Sequence, residues 1–176
     1  VERTSIFHAL NAKRVIRHYC RSKGLDPYRH SFIVAHMGGG ISVSAVQGLK
    51  AIDVSNGVDG EGPFSPERVG SLSHKNIFSL LNEFGGDTAA LNRALYYRGG
   101  LMSYFGTNDV PALIHRGESE PEVARVLAAM VYNIAKQIAA LSIPLMGKVE
   151  QILLTGGLAC NPRITTPITE QVSWIA

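Results

Sequence analysis

The chain has 176 residues, 45% of them apolar and 18% charged, with a formal net charge of +3 at pH 7. That length supports one domain with a sizeable core, burying roughly 70% of the unfolded surface, and the composition is that of an ordinary globular protein. The mild positive charge suits an anionic ligand. No dense Lys/Arg block points to nucleic acid, the longest apolar run (138–146) is too short to cross a bilayer, and Cys20 and Cys160 make neither a CxxC pair nor a zinc spacing, so a reduced, cytoplasmic setting is expected.

Thr4 or Ser5 caps a first helix running to about Lys23, with Ala9, Ala12, Ile16 and Tyr19 on its buried stripe and Arg14, Arg17 and Arg21 on its solvated one. Three strands follow at 31–36, 41–47 and 49–55, with a tight turn at Gln47-Gly48. Residues 56–74 read as a loop stiffened by Pro63 and Pro66. Two helices at 75–83 and 87–98 are split by Gly85-Gly86, and Gly99-Gly100 ends the second. A short helix starts near Asn108. The longest helix starts near Ser119, where Val123, Leu127, Met130, Ile134, Ile138 and Leu141 recur at spacings of three and four, and Pro144 ends or kinks it. A strand at 151–155 leads through Gly156-Gly157 to a helix over 162–171. The closing VSWIA reads as an unfinished strand, and the first residue is Val, so the expectation is a piece of a longer protein. The element order predicts a mixed α/β fold, with antiparallel strands first and a further strand after a long helix, and fits one lobe of a two-lobed fold.

Gly38, Gly39 and Gly40 follow a strand ending at His36 and precede a second strand. Glycines at such a hairpin tip suit a phosphate cradle of backbone N–H groups, in which a larger side chain would hold the phosphate away. The alternative is a tight hairpin that needs positive φ. Gly156 and Gly157 sit between a strand and a helix, a common nucleotide-side turn, although such glycines also allow close helix–strand packing. Arg68, in SPERVG, offers a planar fork for a carboxylate or phosphoryl group; the alternative is a surface Arg paired with Glu67 or Glu61. His36 beside the glycine loop and His8 in the first turn of the first helix are candidates to donate to an anion, while His18, His30, His74 and His115 read as structural. Asp53, Asp59 and Glu61 approach a Mg²⁺ through water at most, and no protein metal ligand is assigned.

The stretches AHMGGGISVSAV, IDVSNGVDGEGPFSPERVGSL, YFGTNDV and LLTGGLACN together closely resemble the butyrate kinases of the acetokinase family, through essentially the whole chain. The resemblance implies a mixed sheet with flanking helices, the ribonuclease-H-like lobe of the acetate kinase, sugar kinase, Hsp70 and actin superfamily. Residues 1–176 would form a single partial C-terminal, nucleotide-binding lobe, with the N-terminal lobe absent from this chain. It implies the reaction ATP + butanoate ⇌ ADP + butanoyl phosphate with Mg²⁺, and a homo-oligomer with no nucleic-acid or membrane partner. FHAL resembles a segment carrying a catalytic histidine, His8. HMGGG makes His36 a phosphate-side histidine and Gly38 to Gly40 the phosphate loop. PERVG makes Arg68 the transition-state clamp. GTND makes Asn108 and Asp109 candidates for holding adenosine, and TGGL makes Gly156 and Gly157 the other nucleotide turn. Pro111 stands where relatives usually carry Arg, and Cys160 stands near the place where acetate kinases carry a metal-linked glutamate. Other short or branched acids (2-methylpropanoate, propanoate, acetate) are alternative acceptors, and a non-catalytic nucleotide-binding or dimerisation module is the alternative of another class.

Overall fold

The computed structural model describes residues 8–57 and 60–176. Helix α1 (Ala9–Lys23) precedes strands β1 (Ser31–Met37), β2 (Ile41–Gln47) and β3 (Lys50–Val54). Four helices follow: α2 (His74–Glu83), α3 (Thr88–Tyr97), α4 (Gly100–Phe105) and α5 (Val110–Arg116). The long α6 (Pro121–Ala140), β4 (Gln151–Thr155) and α7 (Pro162–Val172) complete the order. The sheet runs β3-β2-β1-β4, antiparallel except for the parallel β1–β4 pair. This is the expected mixed α/β fold.

Side chains alternate across a strand, and that alternation places the site. Ile33, Ala35 and Met37 of β1, with Ile41, Val43 and Ala45 of β2, face a large core shared with α4 to α7. Phe32, Val34 and Val46 face the other way, onto Ala12, Ile16 and Cys20 of α1. His36, next in the Phe32–Val34 series, belongs to the α1 side. By the same count so does Ser42 of β2, which pairs with His36, while Thr155 of β4 pairs with His36 from the other side.

Helix α6 buries Val123, Leu127, Met130, Ile134 and Ile138, as its spacing predicts. With its following turn it is long and apolar enough to cross a membrane, but these side chains lie in the core against the sheet and α7, and that packing accounts for its apolarity.

Several local expectations are corrected. Helix α1 begins at Ala9 with His8 as its cap, so His8 precedes the first turn; Thr4 and Ser5 lie outside the described residues. The β2–β3 turn is centred on Gly48 and Leu49, with φ of 56° and 62°. A left-handed leucine is strained; Leu49 is held there by burial in the α1-side core. Gly99-Gly100 does not merely end α3: Gly99 caps a further helix, α4, and Gly100 opens it. A 3₁₀ turn (Gly157–Cys160) intervenes before α7. The VSWIA segment is the end of α7 and a turn, with Val172 and Ile175 buried in the core, not a strand.

Candidate active site

His36, Ser42 and Thr155 form a row across the sheet, and α1 lays His8 and Asn11 over it. The His8 and His36 rings stack at a centroid separation of 3.8 Å. His8 Nδ1 lies 3.0 Å from Ser42 Oγ. Asn11 Nδ2 donates to His36 Nδ1 at 2.7 Å and to Thr155 Oγ1 at 3.2 Å. A ring that accepts at Nδ1 carries its proton on Nε2. In this arrangement the His36 Nε2–H lies on the glycine-loop side, 3.9 Å from where a Cβ on Gly38 would stand. Both rings titrate below the ordinary histidine range. For His8 the first cause is burial and the second the Arg68 charge; for His36 burial is followed by His8. At pH 7 the pair is neutral and donates hydrogen bonds without adding charge.

None of Gly38, Gly39 and Gly40 has positive φ, so the tight-turn explanation of the triplet fails. The two that matter sterically make room for the next loop. A Cβ on Gly40 would stand 2.6 Å from the guanidinium carbon of Arg68, and one on Gly39 would stand 3.0 Å from the Glu67 carboxyl. The loops are also tied together. Fully buried Ser65 donates to the Gly39 carbonyl at 2.6 Å and accepts from the Arg68 amide at 3.0 Å. The Glu67 amide donates to the same Gly39 carbonyl. Helix α4 supports this unit from below, because Gly99, Leu101 and Met102 amides bind the carbonyls of Glu67, Ser65 and Pro66. A Cβ on Gly100 would collide with the Ser65 carbonyl, which explains the glycine pair that reads as a helix stop.

Arg68 is held rather than free. Its Nη1 donates to the Gly57 carbonyl at 3.2 Å and its Nη2 to Tyr96 Oη at 2.6 Å, with the guanidinium 4.0 Å from the Tyr96 ring centre. Its Nε is buried without a partner among the described residues. Of its five N–H donors these bonds use two, which leaves the buried Nε–H and one N–H on each terminal nitrogen.

The remaining candidates fall in two groups. Asn108 donates to Glu67 Oε1 at 2.7 Å, joining the same loop pair. Asp109 caps α5 through the Ala112 amide, and Pro111 sits in that helix's first turn, where a missing N–H costs nothing. Gly156, at φ 92°, rests on the backbone of Met37, so close packing accounts for it, while Gly157 faces open space. Asp53 accepts from the Val54 amide; Asp59 lies outside the described residues. Among the described residues no group of three or more His, Cys, Asp or Glu side chains forms a metal cluster. Asn11, Ser42, Ser65 and Tyr96 are site residues that reading the sequence does not pick out. Their one signal in the sequence is the β1–β2 register, which puts Ser42 opposite His36.

Residues 7–172 match the acetokinase family model. The chain is 43% identical over 178 residues to a protein named probable butyrate kinase from Listeria monocytogenes, covering 99% of this chain and 50% of the relative. A protein of the same name from Bacteroides thetaiotaomicron is 39% identical, with 98% and 49% covered. The chain thus spans about half the length of the curated relatives it matches. Among solved structures, Porphyromonas gingivalis acetate kinase superposes with a TM-score of 0.86 at 23% identity, over 96% of this chain and 43% of that one. A Francisella tularensis propionate kinase gives 0.81 at 21%, over 93% and 43%. The fold is therefore that of the matched part of these kinases, a mixed sheet with flanking helices. By the match over nearly its whole length, the chain belongs to the acetokinase family.

Proposed function

We propose that this chain is the C-terminal, nucleotide-binding lobe of a carboxylate kinase that transfers the γ-phosphoryl group of ATP to a short-chain fatty acid, with butanoate as the preferred acceptor. The observation that carries this reading is the convergence of His36, His8, the 38–40 glycine loop and the clamped Arg68 at one place. Phosphoryl transfer asks little covalent chemistry of a protein; it asks for positioning and for positive charge on the equatorial oxygens. The glycine loop offers backbone N–H groups to the nucleotide phosphates. A carboxylate oxygen of the acid attacks the γ-phosphorus in line, the bond to the ADP oxygen breaks, and an acyl phosphate forms. Arg68 spans the transferring group with the remaining N–H on each terminal nitrogen, and His36 Nε2–H donates beside it.

Mg²⁺ would arrive with the nucleotide and neutralise its phosphate charge. Glu67, lying against the glycine loop, is a fitting carboxylate, since Mg²⁺ is ordinarily held by one or two carboxylates, phosphates and water. Asn108 and the Gly156–Gly157 turn are assigned to the nucleotide side. The choice of butanoate is supported by the names of the most similar curated relatives. A cytoplasmic homo-oligomer without nucleic-acid or membrane partners completes the reading.

The test is hydroxamate trapping of acyl phosphate by the full-length protein with ATP and, in turn, acetate, propanoate, butanoate and 2-methylpropanoate. Highest kcat/KM on butanoate is expected. Highest kcat/KM on another acid would keep the kinase and change the acceptor; no product from any acid would overturn the reading.

A further inference from the structure

Asn11, half-buried in the first turn of α1, meets two strands at once. Its amide nitrogen lies 2.7 Å from His36 Nδ1 near the end of β1 and 3.2 Å from Thr155 Oγ1 at the end of β4. An amide nitrogen carries two hydrogens and accepts nothing. Each contact therefore takes one hydrogen, and His36 Nδ1 is left to accept. The hydroxyl beside the other ring imposes no such sense: Ser42 Oγ, 3.0 Å from His8 Nδ1, donates or accepts as that ring requires. Which nitrogen of a neutral imidazole keeps the proton is set by the bond the other nitrogen makes. Burial and the neighbouring His8 hold His36 below the ordinary histidine range, so at pH 7 the tautomer, and not the charge, decides whether the ring donates towards the glycine loop.

We propose that Asn11 is a positioning residue for phosphoryl transfer: its amide holds His36 in the Nε2–H tautomer, so that the ring presents a donor and not a lone pair to the phosphoryl group. The proposal rests on the carboxylate-kinase reading and adds what fixes the donor. Asn11 acts through His36 and touches no reacting atom. Asn11→Asp keeps the shape of the side chain and reverses its hydrogen-bonding sense. A carboxylate only accepts, so a neutral His36 beside it carries its proton on Nδ1 and leaves Nε2 bare. A protonated His36 donates from both nitrogens, and its Nε2–H returns. Among the described residues, the titratable or charged groups around this ring are His8, stacked on it from α1, and Arg68, which acts on His8 from the loop after β3. Ser42 of β2 and Thr155 of β4, which pair with His36 across the sheet, carry no charge.

The experiment uses the full-length protein. Nitrogen-15 NMR of the ligand-free, histidine-labelled protein locates the ring proton, with the His36 signals assigned by their loss in His36→Gln. Hydroxamate trapping with ATP and butanoate follows kcat across the pH range for wild type and Asn11→Asp. The wild-type proton is expected on Nε2. In Asn11→Asp it is expected on Nδ1 once the ring is neutral, and kcat should then fall as pH rises through the His36 pKa, while wild type shows no such fall. The loss at high pH should reach on the order of 10²-fold, the cost of one donor removed from developing charge. Should Asn11→Asp fail to give folded protein by circular dichroism, the wild-type spectrum decides. A wild-type proton on Nδ1, or a folded Asn11→Asp protein with the wild-type pH profile, overturns the role of Asn11 and leaves the kinase reading standing. No acyl phosphate from the wild type with any acid overturns the kinase reading and the role in transfer with it; the spectrum, read without substrate, tells the two failures apart.

Discussion

Replacing Gly40 by alanine tests whether the glycine loop exists for Arg68. The added methyl would stand 2.6 Å from the guanidinium carbon and 2.7 Å from Nη1, where ordinary contact is 3.4–4 Å. The guanidinium must therefore retreat by about 1 Å, and a misplacement of that size at a reacting centre can cost on the order of 10²-fold. That is about 2.7 kcal/mol of transition-state stabilisation. The backbone at Gly40 is outside the left-handed region, so alanine brings no φ strain. Any stability it loses is therefore the cost of displacing the guanidinium from the Gly57 carbonyl and Tyr96 Oη. Gly39→Ala perturbs a different group: its methyl meets the Glu67 carboxyl at 3.0 Å and disturbs the carboxylate that accepts from Asn108 rather than Arg68. The assay is the hydroxamate rate of the full-length protein at saturating ATP and butanoate, with a melting curve on the same samples. A folded Gly40→Ala protein turning over at the wild-type rate would refute the claim that the glycine makes room for a working arginine.

Three other outcomes follow from the same geometry. Tyr96→Phe removes the 2.6 Å hydrogen bond to Arg68 but keeps the ring beneath it; kcat should fall roughly tenfold, the lower end of the ~1.5–3 kcal/mol of a hydrogen bond to a charged group, with KM for ATP unmoved. Wild-type kcat would contradict the positioning role. The lowered pKa values of His8 and His36 mean that the folded state binds fewer protons than the unfolded chain, whose histidines titrate near 6.5. Their contribution is present above pH 6.5 and is lost as pH falls through that value towards the folded pKa. The denaturation midpoint should drop between pH 7.5 and 5, and drop less in a His8→Gln/His36→Gln double variant; an equal drop in both would dismiss the pair as its source. Ile134, fully buried in α6, should cost ~2–5 kcal/mol when cut to alanine, read by chemical denaturation. A loss within the roughly 0.5 kcal/mol of a surface substitution would contradict its place in the core.

The elements with strong periodicity were legible. Helix α6 shows its buried stripe at spacings of three and four, and β4 falls at 151–155 because an apolar run ends at glycines. Strand alternation alone puts His36 and Phe32 on one face. What was not legible depends on distant packing. Asn11 meets a partner 25 positions away and Ser65 one 26 away, while Tyr96 reaches Arg68 across 28, and no local pattern encodes those distances. Gly99-Gly100 misled for the same reason: as local punctuation it ends a helix, whereas here it lets α4 press against the Ser65 carbonyl. VSWIA misled because a short apolar run does not distinguish a strand from a buried helix end. The glycine triplet stands out in the sequence, but nothing local shows that two of its members make way for the side chains of the neighbouring SPER loop.

The central claim is that Arg68 acts on the transferring phosphoryl group, and Arg68→Ala in the full-length protein tests it most directly. Loss of such an arginine costs on the order of 10³-fold or more in kcat. Acyl phosphate formation from ATP and butanoate is predicted to fall by at least that factor, with an unchanged circular dichroism spectrum. Turnover close to wild type in the folded variant would contradict the claim.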